Sequence, residues 1–192
     1  MKILVAGATG VLGRALLENL RGHEVLGLTR APEKIVSLRS LGAQGAVCNV
    51  YEPGAFERMA VAFAPELVVN FLTDLEAGPG PANTKIRREG GPIVVAGAKA
   101  CGARALVVES VAFELKAASG EAVQALEQGA LDSGLVTWIL RFTRFWGFGT
   151  WSAAPTEVED IEVNEAGRLA AELILRAAPG TYVVGGSGAS RV

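Results

Sequence analysis

Short apolar runs alternate along the chain with longer segments whose apolar residues recur at helical spacing. Residues 2–6 make the first strand-like run. Val11, Leu12, Ala15, Leu16 and Leu20 then fall on one face of a helix. Gly22 ends it, as a C-terminal glycine does. Residues 24–28 read as the second strand. Pro32 suits the first turn of a helix running to about residue 41. Residues 45–48 are a third strand, Pro53 opens a helix ending near residue 65, and residues 67–70 are a fourth strand. Residues 78–81 carry turn chemistry.

The second half repeats the theme. Residues 83–101 read as one long helix, and Gly90, Gly91 and Pro92 mark where it could split or kink. Residues 105–108 and 136–141 are strands five and six, with a helix over 121–132 between them. Residues 164–176 are helical, and residues 182–184 form a short last strand before a Gly/Ser-rich tail. Such alternation predicts an α/β fold: a doubly wound parallel sheet, or Rossmann fold, with helices on both faces. Right-handed crossovers then give the strand order 3-2-1-4-5-6.

Composition narrows the classes. A length of 192 residues suits a single domain over 1–192, and half the residues are hydrophobic, so a core is available. A net charge of −2 argues against nucleic acid as a partner. Apolar runs such as residues 67–72 are too short to cross a bilayer. The first run leads into glycines rather than a cleavage-like site, so a cytoplasmic protein is expected. Cys48 and Cys101 read as buried reduced thiols. His23 is the only histidine, which argues against a zinc site.

The candidate chemistry begins where the first strand ends. The segment Gly7-Ala8-Thr9-Gly10-Val11-Leu12-Gly13 spaces its glycines three apart. Gly7 permits a sharp turn, Gly10 lets backbone approach a pyrophosphate, and Gly13 lets the helix pack on the sheet. Amide groups at the helix start then face phosphate oxygens along the helix dipole. The position between an apolar strand and an amphipathic helix is the context such a motif requires. The expected cofactor is therefore NADP or NAD. An NAD site wants a carboxylate at the end of the second strand, for the ribose hydroxyls. This strand ends Leu28-Thr29-Arg30, with Arg14 and Lys34 as further cations. Arginine suits a 2′-phosphate, so NADP is favoured.

With Asn70-Phe71-Leu72-Thr73 after strand four, then Asn83 and Ser110, the chain resembles the extended and atypical short-chain dehydrogenases/reductases of NAD-dependent epimerase/dehydratase type. Ile139-Leu140-Arg141 with Phe145-Trp146-Gly147, and Ile161 to Ala166, resemble later family segments. The resemblance implies that Thr9, Gly10, Val11 and Leu12 line the pyrophosphate. Asn49 and Val50 would touch the adenine, although relatives usually have an aspartate at the first of these. Phe71, Leu72 and Thr73 would run along the ribose and nicotinamide. Ser110 would hold the substrate oxygen, or else simply satisfy a backbone group at the strand end.

One departure bears on function. The family's proton transfer rests on Tyr-x-x-x-Lys in the helix after that serine. The two tyrosines here, Tyr51 and Tyr182, are followed four residues on by Ala55 and Gly186. Aligning Glu127 with a family glutamate puts Ser119 at the tyrosine position and Val123 at the lysine position. Glu114 and Lys116 are the remaining candidates for a proton donor, or are solvated loop residues. Residues 142–192 make a reduced substrate lobe, with Phe142, Phe145, Trp146, Phe148 and Trp151 as a pocket wall or as ordinary packing. Two readings stay open: a cofactor-binding protein without standard dehydrogenase activity, and an NADP-dependent oxidoreductase or epimerase acting on a small carbonyl or sugar-nucleotide compound with a non-standard proton donor. A homodimer is expected through the helices after strands four and five, with Ala122, Val123, Ala125, Leu126, Ala130 and Leu131 on the second of them.

Overall fold

The structure is a computed structural model that describes residues 1–74, 80–115 and 117–192. Lys116 and the first half of the turn expected at 78–81 lie outside the described residues. The strands are β1 (Lys2–Ala6), β2 (Glu24–Thr29), β3 (Gln44–Val47), β4 (Leu67–Asn70), β5 (Ala105–Val111), β6 (Val136–Phe142), β7 (Phe145–Trp146), β8 (Ile161–Glu162), β9 (Gly180–Gly185) and β10 (Gly188–Arg191). The helices are α1 (Val11–Glu18), α2 (Ile35–Ser40), α3 (Ala55–Phe63), α4 (Pro81–Lys85), α5 (Gly91–Ala100), α6 (Ala117–Leu131) and α7 (Val163–Arg176).

The main sheet runs β10-β9-β6-β5-β4-β1-β2-β3. The six strands from the β3 edge inward have the expected 3-2-1-4-5-6 order, and all pair in parallel. Alternate residues of β1 enter two separate cores: Ile3 and Val5 join one with α1 and α7, and Leu4 and Ala6 join the other with α3 and α5. Burial on both faces is why these strands read as continuous apolar runs rather than as alternating ones. Ala6, the last residue of β1, pairs with Leu28 of β2 on one side and with Asn70 of β4 on the other. The chain leaves β1 in one direction and returns for β4 in the other. That reversal opens a crevice above the carboxyl ends of β1 and β4, where ligands of such sheets bind.

Four expectations are corrected. The Gly/Ser-rich end is a strand, β10, which pairs antiparallel with β9 at the sheet edge. The helix expected from Pro53 begins at Ala55, after a left-handed turn at Gly54, and α6 starts four residues earlier than its pattern. The segment around Gly90 neither breaks nor continues as a regular helix. It widens into a π-turn over Ile86–Gly90 between α4 and α5, with the Gly91 amide donating to Ile86 O. Pro92 has no amide to give and its ring displaces the carbonyl one turn back, so the wider turn takes up the difference. A Cβ at Gly91 would overlap Leu126 Cδ1 of α6, so that side chain would have to move to admit one.

Candidate functional site

The glycine turn sits at the mouth of the crevice. Gly7 has a φ of +85°, and a Cβ there would overlap the carbonyl of Phe71, so both strand exit and close approach to β4 demand glycine. A Cβ at Gly13 would overlap Gly7 O. Gly10 differs. It caps α1 in an extended conformation, its amide donates to Gly7 O at 3.0 Å, and it is exposed. Only Gly7 O comes near a Cβ built there, at 3.3 Å. The fold itself asks for glycine at 7 and 13, and leaves the apex at 10 open to a ligand. No side chain caps α1, and no acid occupies its first turn. Thr9 Oγ1 lies 3.3 Å from Thr29 Oγ1, tying the turn to the end of β2.

Arg30 follows β2, half exposed. Its Nη1 lies 3.1 Å from Asp74 Oδ2. Beside it is a cavity of about 310 Å³ whose lining includes Arg30, Cys48, Asn49, Glu52 and Arg58. Asn49 Oδ1 accepts from the Tyr51 amide at 3.1 Å, which shapes the turn after β3 and commits that oxygen. Burial, followed by the charge of Glu52, pushes the Cys48 thiol above its ordinary range, while Arg58 opposes. Val50 is buried in the core with α3 and α5. Phe71 is also buried, its ring edge-on to Phe142 at 6.3 Å, so its backbone rather than its ring meets the crevice. Leu72 donates its amide to Asn70 Oδ1 at 3.3 Å, and Asp74 donates its amide to Asn83 Oδ1 at 3.2 Å. Arg14 is half-buried and Lys34 exposed. Neither Asp74 nor Arg58 is marked by the sequence pattern, because each meets its neighbours only through the fold.

At the other end of the crevice Ser110 is buried on β5, and its Oγ donates to Glu127 Oε1 at 2.5 Å. Arg141 of β6 grips the same carboxylate with Nε at 2.9 Å and Nη2 at 2.6 Å. Partial burial pushes the Glu127 carboxyl up, but the bonds from Arg141 and Ser110 outweigh it and hold it below the usual range. Ser119 Oγ lies 2.9 Å from Thr84 Oγ1, and Val123 is buried. Tyr182 is in the core and donates its hydroxyl to Ala178 O. Tyr51 lies under Lys85 Nζ, 5.0 Å from the ring centre. Tyr51 and Lys85 thus meet through the ring face, away from α6, where Ser119 and Val123 stand in place of the family's pair. Glu114 is exposed.

Two features escape a sequence reading. Arg87, on the π-turn, reaches Glu109 of β5 at 3.3 Å, and both are buried. Burial pushes the Glu109 carboxyl up, with Arg87 opposing. A second cavity of about 30 Å³ is lined by Gly80, Asn83, Thr84, Arg87, Leu115 and Ser119. The expected aromatic wall divides: Phe142 is core, packed at 5.3 Å on Phe145, whereas Phe148 and Trp151 are exposed. Gly149 between them sits against Val11 and Arg14 of α1. The loop carrying these two aromatics thus leans on the helix that starts at the glycine turn.

The chain is similar to known proteins in ways that fit this geometry. It is 33% identical over 186 residues to a 3-diazoavenalumate denitrifying reductase of a Streptomyces species, over 78% of this chain and 58% of the reductase. The chain thus spans 58% of the length of that curated relative. Its fold matches that of the Bordetella bronchiseptica enzyme WbmH, solved in complex with NAD+, at a TM-score of 0.79 and 15% identity over 99% of this chain and 77% of that one. It also matches UDP-glucose 4-epimerase from Thermotoga maritima, solved with UDP-glucose, at a TM-score of 0.78 and 16% identity over 100% of this chain and 79% of that one. The model of the NAD dependent epimerase/dehydratase family matches residues 3–111, more than half the chain, and the protein belongs to that family.

Proposed function

We propose that this chain binds a nicotinamide dinucleotide across the carboxyl ends of β1 and β4 and lacks the family's usual carbonyl-reducing proton machinery. The observation that carries the first half is the contrast among the three glycines: 7 and 13 are filled by the protein's own backbone, whereas a Cβ at the exposed Gly10 would meet only Gly7 O, at 3.3 Å, beside an uncapped helix start. Gly10, Val11, Leu12 and Gly13 would face the pyrophosphate, and Arg30, released from Asp74, would face a 2′-phosphate. The second half rests on Ser119 and Val123. A serine hydroxyl is an inefficient general acid near neutral pH, and valine carries no charge to tune it. Calorimetric titration with NADPH and NADH tests the binding, and cofactor oxidation with a panel of ketones and aldehydes tests the missing chemistry. Absence of binding by either cofactor at millimolar concentration would sink this reading.

A second reading keeps an enzyme, and the similarity to a denitrifying reductase favours it. A bound reduced nicotinamide supplies a hydride. A ketone needs a proton on oxygen as well as that hydride. A diazonium group does not: hydride replaces dinitrogen, Ar–N₂⁺ + H⁻ → Ar–H + N₂, and charge and atoms balance with no added proton. A site without a proton donor suits the second reaction. Dinitrogen release from an aryldiazonium salt in the presence of NADPH is the assay, and no release above the cofactor-only rate counts against it.

A homodimer belongs to the same proposal. Ala122, Val123, Leu126 and Ala130 are spent in the chain's own core, which leaves Ala96, Ala100, Ala125, Gly129 and Leu131 exposed on α5 and α6 to meet a second copy. Light scattering at tens of micromolar decides it.

A further inference from the structure

The cavity of about 310 Å³ beside Arg30 has a second arginine in its wall, Arg58 of α3. Arg58 lies one turn into that helix, and its side chain folds back past the helix start, where Nη1 donates to Pro53 O at 3.1 Å. A Cβ at Gly54 would come within 2.8 Å of that nitrogen, so the glycine makes room for the return. No side chain caps α3, and the guanidinium is thus held at the positive end of the helix dipole. A cation there is unfavourable alone, and an anion beside it offsets the cost. The bond to Pro53 O uses one donor and leaves the rest of the fork uncommitted among the described residues. The charges of Arg58 and Glu52 both act on the thiol of Cys48, which is buried in the same cavity wall. Arg30 from the end of β2 and Arg58 from the start of α3 therefore border one cavity, with Glu52 as the carboxylate in its described lining. Cys48, Ala55 and Met59 add apolar surface. Apolar wall with two cations at its edge suits a phosphorylated nucleoside better than a bare anion.

We propose that Arg58 is a second specificity-determining residue for the cofactor, and that it and Arg30 together hold the 2′-phosphate of NADP in this cavity. The proposal rests on the reading that the chain binds a nicotinamide dinucleotide. A phosphate monoester presents acceptor oxygens in several directions, so two guanidinium forks arriving from different elements can each take its own share. NAD carries a hydroxyl at that position and offers neither arginine an anion. Glu52 opposes the phosphate by its charge, so Glu52→Gln should raise NADPH affinity and leave NADH unchanged.

Calorimetry on the whole protein compares NADPH with NADH for the parent, Arg58→Gln and Arg58→Lys, with a thermal melt of each to check folding. Arg58→Gln should weaken NADPH about three- to tenfold, as for a charge-assisted hydrogen bond from an exposed side chain, and leave NADH unchanged. Arg58→Lys keeps the charge but loses the fork, and should fall between. A loss shared equally by both cofactors, or no loss with NADPH, overturns the proposal and leaves dinucleotide binding standing. A second arm needs no dinucleotide. The ¹⁵N-labelled, cofactor-free protein is titrated with 2′-AMP and with inorganic phosphate, and the Cys48 and Asn49 amides are followed by NMR. Saturable binding of 2′-AMP at millimolar concentration is expected, tighter than phosphate and weakened several-fold in Arg58→Gln. No saturable shift up to about 50 mM 2′-AMP overturns the proposal, as do equal midpoints for 2′-AMP and phosphate. This arm decides the matter whether or not NADPH binds.

Discussion

Ser110 Oγ lies 2.5 Å from Glu127 Oε1 and donates its hydrogen there. A serine so placed is a strut between β5 and α6 rather than a free hydroxyl facing substrate. Ser110→Ala should cost about 1.5–3 kcal/mol of stability, the range for a hydrogen bond to a charged group. Any reductase turnover should change little. Urea unfolding and a cofactor-oxidation assay measure the two separately, and a large loss of turnover with unchanged stability would restore Ser110 as a catalytic residue.

The same carboxylate sets an acid limit. Glu127 is held below its ordinary range in the folded chain, so its contribution is fully present above the unfolded value of about 4.3 and is lost as pH falls through the folded one. The stability gap between the parent and Glu127→Gln should therefore be widest near neutral pH and close below about pH 4. Glu109 works in the opposite sense: its carboxyl is pushed up, so protonation favours the folded state. Denaturant midpoints from pH 3 to 7 for parent, Glu127→Gln and Glu109→Gln check both signs.

Glycine substitutions should separate folding from binding. Gly13→Ala drives a methyl into Gly7 O, an overpacking that costs about 1–3 kcal/mol or more. Gly10→Val brings a Cβ to 3.3 Å from Gly7 O, which a shift of a few tenths of an ångström in the exposed turn relieves, and should keep the parent's circular dichroism. It should lower NADPH affinity at least tenfold, about 1.4 kcal/mol, by blocking backbone approach to the pyrophosphate. Calorimetry with thermal melts distinguishes the two, and full NADPH affinity in Gly10→Val would remove the glycine turn from the site.

Asp74 pairs with Arg30. An exposed ion pair is worth up to about 1 kcal/mol, so Asp74→Asn should raise NADPH affinity up to about fivefold. NADH should change less. Arg30→Asp should weaken NADPH by about 1.5–3 kcal/mol and narrow or invert the preference. Equal affinities for both cofactors in the parent would show that Arg30 faces solvent.

The sequence disclosed the elements whose apolar period is strong, and with them the sheet order and the crevice. β1, the glycine turn and α1 are local: strand, turn and helix follow one another within twenty residues, and each glycine reports its own job. β10 was not legible, because an edge strand of Gly188, Ala189, Ser190 and Arg191 is held by backbone bonds and has no buried face to set an alternation. Arg87 and Glu109 lie 22 residues apart on different elements, and no local spacing signals that they meet. Val123 and Leu126 read as a surface for a partner because an apolar helical stripe looks the same whether it packs on its own sheet or on another chain.

The widened turn over Ile86–Gly90 also fixes an azimuth. It holds one residue more than a regular turn, and one residue of an α-helix is worth about 100° of rotation. Everything before it, from Pro81 to Lys85, is therefore turned by that angle relative to α5. Removing Gly90 would restore the regular phase and swing Thr84 away from Ser119 and Arg87 away from Glu109. A carboxylate would be stranded without its cation in the interior, while the packing of α5 on α3 stayed in register. The bulge is the indexing pin that lets one helix serve two partners set at different bearings.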